Sequence, residues 1–196
     1  MTPRDLALWQ AAKPWLNVRS NDVHTLIAWR LAGTLLTLRP GADEGVVLPA
    51  IILHDTGWKK MPQEKLARAV GPQPEFPALQ RAHEVAGVEI GREILGRLGL
   101  GLKDDAILAI IDGHDTTKEA RSPEDAIVKD ADKLWRFTPH GVATIGGWFQ
   151  TPAPETLAML EDFVLPSFLT PEARIMAQGF LAEGWAAAER EERMLG

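Results

Sequence analysis

The chain contains no cysteine. Disulfides, thiolate nucleophiles and Cys-ligated zinc or iron–sulfur sites are therefore excluded, and any metal must be held by imidazole nitrogens and carboxylate oxygens. No apolar run reaches the roughly 18 residues of a membrane-spanning helix. The start, Met1-Thr2-Pro3-Arg4-Asp5, lacks a basic-then-apolar leader pattern, so a cytoplasmic protein with no membrane partner is expected. Net positive charge is missing too. With 21 Lys+Arg against 27 Asp+Glu the formal charge is -6, which gives no general attraction to a nucleic-acid polymer or an anionic surface. At 196 residues, 45% hydrophobic and 24% charged, the chain is long enough for one substantial core, and a single domain is expected over 1–196.

Helical patterning dominates. Leu26, Ile27, Leu31, Leu35 and Leu38 form an apolar stripe over Thr25 to Leu38, and Asn21 or Asp22 is placed to cap it, which puts His24 in the first turn. Glu44 to Leu53 is apolar almost all round, the mark of a buried central helix, and Gly57 just beyond suits a chain reversal. Gly71-Pro72-Gln73-Pro74-Glu75-Phe76-Pro77 reads as a loop, because repeated prolines remove backbone donors. Helices are expected over about Ala78 to Leu98, with Val85, Val88, Ile94, Leu95 and Leu98 inward, and over Lys103 to Asp112, with Ile107, Leu108, Ile110 and Ile111 inward. Ser122-Pro123-Glu124-Asp125 and Thr170-Pro171-Glu172 are helix starts with cap, first-position proline and acids at the positive end of the dipole. The last helix fades into the acidic, exposed stretch Glu189–Arg193. No strand, repeat or linker stands out. The expected fold is an all-α bundle of six to nine helices.

The chemistry-bearing feature is His54-Asp55, an imidazole beside a carboxylate at the end of the apolar run Val46–Leu53. His24 lies 30 residues before it, His83 and His114 follow, and Asp130-Ala131-Asp132-Lys133-Leu134 closes the series. A helical bundle can bring such distant side chains onto one metal. His24, His54, Asp55 and one acid from Asp130–Asp132 make a mixed nitrogen and oxygen shell suited to Mn, Fe, Co, Ni or Zn, with Mg a further option, and it leaves positions for water and substrate. Water on such a metal loses a proton near neutral pH. Adding His83 and His114 supplies ligands for a second ion, with Asp55 able to bridge the two, so one or two divalent ions are expected.

The ordered series His…His-Asp…Asp resembles the HD-domain superfamily, mostly metal-dependent phosphohydrolases of nucleotides and other phosphate esters. The matching segments are Val23-His24-Thr25, Leu53-His54-Asp55-Thr56-Gly57 and Val128-Lys129-Asp130-Ala131-Asp132-Lys133-Leu134. Ala82-His83-Glu84 and Ile110-Ile111-Asp112-Gly113-His114 resemble the extra histidines of many relatives. Together they make a motif-bearing core of about 20–137 and leave 138–196 as a helical extension. The family's last motif reads Ala-Asp-Arg/Lys-Leu, which makes Asp132 the ligand. Asp130 lies about 200° away around a helix and is expected to orient a neighbour.

The resemblance implies a small phosphorylated substrate, most plausibly a nucleotide, with Lys59, Lys60, Lys118, Lys133 and Arg136 as candidate phosphate-binding residues. Asp55, Glu84 and Asp115 are the catalytic candidates, the last two as general acid or base. The chain lacks the Gly-Tyr-Pro signature of HD-type cyclic-di-GMP phosphodiesterases, having no tyrosine at all, and the synthetase half of stringent-response enzymes is missing. Two alternatives use the same residues: an HD-type mixed-valent diiron oxygenase that cleaves a C–C or C–P bond, and a non-catalytic ligand-binding module. A homodimer is compatible with either. Outside the series, His140 reads as a loop histidine. The seven tryptophans read as packing residues, with Trp58 and Trp135 placed to wall a substrate pocket.

Overall fold

The computed structural model describes residues 1–71 and 73–195. Pro72, part of the expected proline loop, lies outside them. Among the described residues there are nine α-helices and no strand, as the periodicity predicts. They are α1 Pro3–Ala12, α2 Asn21–Leu38, α3 Glu44–Leu53, α4 Ala78–Leu98, α5 Asp104–Ile111, α6 Pro123–Leu134, α7 Pro139–Phe149, α8 Ala153–Met159 and α9 Pro171–Leu195. None is long and apolar enough to cross a membrane.

The middle of the bundle is α3. Every residue from Val46 to Leu53 is buried, and α1, α2, α5 and α6 all pack on it. Each fully buried Val, Leu or Ile contributes roughly 1.5–3 kcal/mol before chain entropy is set against it. An apolar helix with no polar face must sit inside, so the two residues that end it, His54 and Asp55, arrive in the interior as well. One core cluster runs from Leu8 in α1 to Ala188 in α9. A smaller one, Val18, Trp58, Leu66 and Ala69, lies beneath the 3-10 turns Thr56–Lys60 and Gln63–Ala69.

The cap signals hold. Ser122 Oγ accepts from Asp125 N at 3.1 Å, and Thr170 Oγ1 from Ala173 N at 3.3 Å. Several expectations are corrected. Ser20, in a left-handed conformation, and not Asn21 or Asp22, is the residue before α2, so the helix starts at Asn21 and His24 closes its first turn as expected. The inward face of α2 runs through His24, Thr25, Ala28, Leu31 and Leu35, which leaves Leu38 half-exposed. In α4 the inner face is His83, Glu84, Gly87, Ile90, Ile94 and Leu95, and Val85, one step round from Glu84, is exposed. His140 lies in the first turn of α7 and not in a loop. Gly57 does not need a left-handed turn. It lets the chain after His54-Asp55 press onto α4, where an added Cβ would fall 1.9 Å from the His83 carbonyl oxygen and 2.6 Å from Gly87 N.

Candidate metal centre

Six of the predicted side chains converge. His24 from α2, His54 and Asp55 from the end of α3, His83 from α4, His114 just beyond α5 and Asp132 from α6 are all buried. His24 Nε2 lies 3.0 Å from His54 Nε2, 3.3 Å from Asp55 Oδ2 and 3.3 Å from Asp132 Oδ1. His54 Nε2 is 3.6 Å from both Asp55 Oδ1 and Asp132 Oδ1. On the other side, His83 Nε2 lies 3.3 Å from His114 Nε2, 3.7 Å from Asp55 Oδ1 and 3.6 Å from Asp115 Oδ2. Asp55 Oδ1 is also 3.5 Å from His114 Nε2. Asp55 therefore stands between two donor groups, with Oδ2 toward His24 and Oδ1 toward His54, His83 and His114.

These separations are able to accommodate a shared metal ion. Ligand atoms about 2.0–2.2 Å from a shared ion sit roughly 3.0–3.5 Å from one another. His54 Nδ1–H donates to the Ile51 carbonyl at 2.8 Å and His114 Nδ1–H to the Ile111 carbonyl at 2.9 Å. Those bonds fix the rings and leave each Nε2 aimed at the centre. Three overlapping donor groups result: His24, His54 and Asp132; His54, Asp55 and His114; His83, His114 and Asp115. Together they are able to hold one or two ions. Aromatic rings brace the ligands. Trp58 stacks on His83 with ring centres 3.9 Å apart, and Trp135 meets His24 edge-on at 4.7 Å.

The electrostatics match a site built for positive charge. Burial would raise the Asp55 carboxyl, but the surrounding imidazoles, His54 first, hold it well below the usual carboxylate range. Asp132 is likewise held low against its burial, chiefly by Arg136. Burial lowers His24 and His83. His54 and His114 move up in spite of burial because the carboxylates outweigh it, and His114 is pushed up to about 10.

A family model described as the HD domain matches residues 22–136. The chain belongs to the HD-domain family. No curated protein and no solved structure matches it. The matched stretch runs from one residue after the start of α2 to just beyond α6, so all six converging residues fall inside the HD match.

The other candidates separate into those at the centre and those elsewhere. Asp115 and Arg136 line a cavity of about 290 Å³ that opens onto His24, Asp55 and Asp132, and Trp58 and Trp135 wall it as expected. Arg136 Nη2 is 3.2 Å from Asp132 Oδ2. Lys59, Lys60 and Lys118 are exposed and do not line the cavity. The turn after Gly57 carries the first two outward, and Lys60 pairs with Glu89 at 3.1 Å. Lys133 Nζ donates to the Ser167 carbonyl at 2.6 Å instead of facing the centre. Both oxygens of Glu84 are taken, Oε1 by the backbone N–H groups of Asp115 and Thr116 and Oε2 by Thr116 Oγ1 and Arg81. It anchors the loop that carries His114 and does not face the cavity, so a general acid or base role has no geometric support. Asp130 turns away from the centre, as its helical position requires, and accepts from Leu169 N, Thr170 N and Thr170 Oγ1 at 2.7–2.9 Å, tying α6 to the start of α9.

Four contributors escaped the sequence. Arg19, Asn21 and Trp148 line the cavity, and none adjoins a recognised motif except Asn21, one turn before His24. Lys129 is buried in α6, and its ammonium donates to the carbonyls of Gly113, His114 and Thr117 and to Thr117 Oγ1 at 2.7–3.1 Å. The only available hint was its position three residues before Asp132, on a neighbouring stripe of the same helix.

Proposed function

We propose that this HD-domain protein is a metal-dependent phosphohydrolase acting on a small phosphorylated metabolite, with nucleotides the first class to test. The observation that carries the proposal is Asp55, a buried carboxylate within 3.3–3.7 Å of all four site imidazoles, at the floor of a cavity that also exposes arginine. His24, His54, Asp55 and Asp132 would hold one ion, and His83, His114 and Asp115, with Asp55 between, would hold a second. When bound, such ions supply charge neutralisation for the phosphate and a more acidic water.

The protein's own groups do the rest. Asp55 and Asp132 stay ionised because cationic neighbours hold them low. Arg136, already paired with Asp132 on one edge, offers its remaining N–H groups to phosphate oxygens that gain charge in the transition state. Where Asp115 is not engaged as a ligand, its Oδ2 is the carboxylate on the cavity wall best placed to take a proton from the attacking water or pass one to the departing oxygen. Overall, water oxygen bonds to phosphorus, the ester P–O bond breaks, and the alcohol leaves with a proton. The small cavity and the net charge of -6 favour a small molecule over a polymer.

The test is to load the protein separately with Mn, Co, Ni or Mg and to screen nucleotides and simple phosphate esters for released phosphate. Release abolished by a chelator and by Asp55→Ala is expected. Silence across a broad panel with metal bound would overturn the proposal. So would two irons per chain with the EPR signal of a mixed-valent pair and oxygen consumption.

A further inference from the structure

The cavity lining contains two unlike groups of residues beside the proposed metal ligands. One is Arg19 and Asn21, where the chain enters α2. The Arg19 guanidinium carbon sits 4.9 Å from the Trp58 ring centre and 4.4 Å from that of Trp148. Held between two indoles, it has few conformations left to lose when it binds an anion. Among the described residues it has no salt-bridge partner, and its Nε has no hydrogen-bond partner at all. Asn21 is 3% exposed, and its Nδ2 is also without a partner. Two buried donors left unsatisfied on one wall of a cavity cost stability unless a ligand meets them. The backbone points the same way. Arg19 and Ser20 both take positive φ, +52° and +60°, a conformation that non-glycine residues adopt at a cost and that clusters at binding sites. Those two turns swing Arg19 over the cavity, one helical turn and a half from His24.

A second part of the lining is apolar and comes from α7, α8 and the wide turn Leu160–Val164 that follows them. Ile145, Phe149, Met159, Leu160 and Phe163 line it. All lie beyond residue 136, where the HD match ends. Phe163 is 63% exposed and Phe149 38% exposed, so both rings of the lining are accessible to a ligand.

Building on the phosphohydrolase proposal, we infer that Arg19 and Asn21 anchor the substrate's phosphate, while the wall contributed after residue 136 receives an apolar, ring-sized alcohol portion. The substrate class is therefore a phosphomonoester of an apolar alcohol. A cavity of about 290 Å³ is at the low end of ligand pockets, roughly 300–1,000 Å³. That volume matches one phosphate and one ring better than a triphosphate tail with its sugar and base.

Two measurements test this. Calorimetric titration of the metal-loaded protein with inorganic phosphate reads the anchor without needing turnover. Arg19→Gln should weaken phosphate binding about 10- to 100-fold and Asn21→Ala about 5-fold, as expected for donors to a charged oxygen, with metal content unchanged. Phosphate release from phenyl phosphate, glycerol phosphate and ATP reads the wall. Phenyl phosphate should be favoured about 10-fold or more in kcat/KM, and Phe163→Ser, at an exposed position, should reduce that preference. Folded, metal-loaded Arg19→Gln that binds phosphate as wild type does would overturn the anchor. Preference for glycerol phosphate or ATP would overturn the wall. If no ester is cleaved, the hydrolase proposal falls and the wall with it, while the phosphate titration still decides the anchor.

Discussion

Lys129→Met is the most informative single change in this protein, because the residue touches no proposed ligand side chain and yet holds one of them in place. The segment after α5 must leave the helix, carry His114 inward and turn back, with Gly113 in a left-handed conformation at φ +102°. Its carbonyls have no helix or strand to bond to. The Lys129 ammonium gathers those of Gly113 at 2.7 Å, His114 at 3.1 Å and Thr117 at 2.9 Å, with Thr117 Oγ1 at 2.8 Å. Burial lowers the lysine's pKa, which is the cost of bringing a charge inside, and the cluster of acceptors is what offsets it.

Methionine fills similar space with no donor. The His114 carbonyl would lose the donor that Lys129 supplies, at about 1–3 kcal/mol, whereas the Gly113 carbonyl keeps the Thr117 N–H at 3.1 Å; part of the loss is returned because no ammonium has to be desolvated. A net loss of about 1–3 kcal/mol follows, or roughly 2–10 °C in melting temperature for a chain of this size. The functional effect should be selective. Freed from its carbonyl clamp, the His114 backbone shifts, and the His83, His114 and Asp115 group loses its shape, whereas the group of His24, His54 and Asp132 rests on other elements. Metal analysis should find the variant retaining the latter ion and losing the former. A variant that melts with the wild type and keeps its full metal complement would refute this account of the loop.

Gly57→Ala should destabilise by about 3 kcal/mol or more, since the new Cβ would meet backbone atoms that cannot swing aside; an unchanged urea midpoint would contradict the close approach. Asp55→Asn keeps the shape and removes the bridging charge, so phosphate release should fall on the order of 10³-fold, measured at saturating metal. Metal affinity should rise at least about tenfold per pH unit from pH 6.5 toward 9, because His54 and His114 hold protons above their usual pKa and must release them to bind; calorimetry in buffers of different ionisation enthalpy counts those protons. In metal-free protein the sign reverses. A histidine whose folded pKa is raised to about 10 gives stability that is present below its unfolded value, near 6.5, and lost as pH climbs toward 10. Chelator-treated protein that resists urea better at pH 9 than at pH 6 would overturn the assignment.

Most of the metal centre was legible because its residue types are scarce and their order is informative. Five histidines in 196 residues leave little room for coincidence once one belongs to a buried His-Asp pair and three more bracket it. The helical fold was legible for a similar reason: α3 is apolar all round and has only one place to go. Of the five basic side chains expected to meet phosphate only Arg136 lines the cavity, because being next to a ligand in sequence is a poor guide on a helix. Each residue turns about 100°, so Lys133 and Glu84, immediate neighbours of ligands, point to other walls and serve Ser167 and the loop at Asp115. Lys59 and Lys60 follow a tight 3-10 turn out to solvent.

The side chains that share a ligand's outlook sit three or four residues from it. Asn21 is three before His24, and Arg136 is four after Asp132. Arg19 obeys no such spacing. Its place depends on a left-handed turn at Arg19 and Ser20 and on two indoles drawn from positions 58 and 148, a conjunction that exists only after folding. The metal ligands are thus specified locally, motif by motif. The proposed substrate-facing surface depends instead on how the segment before α2 and the helices after residue 136 close over them.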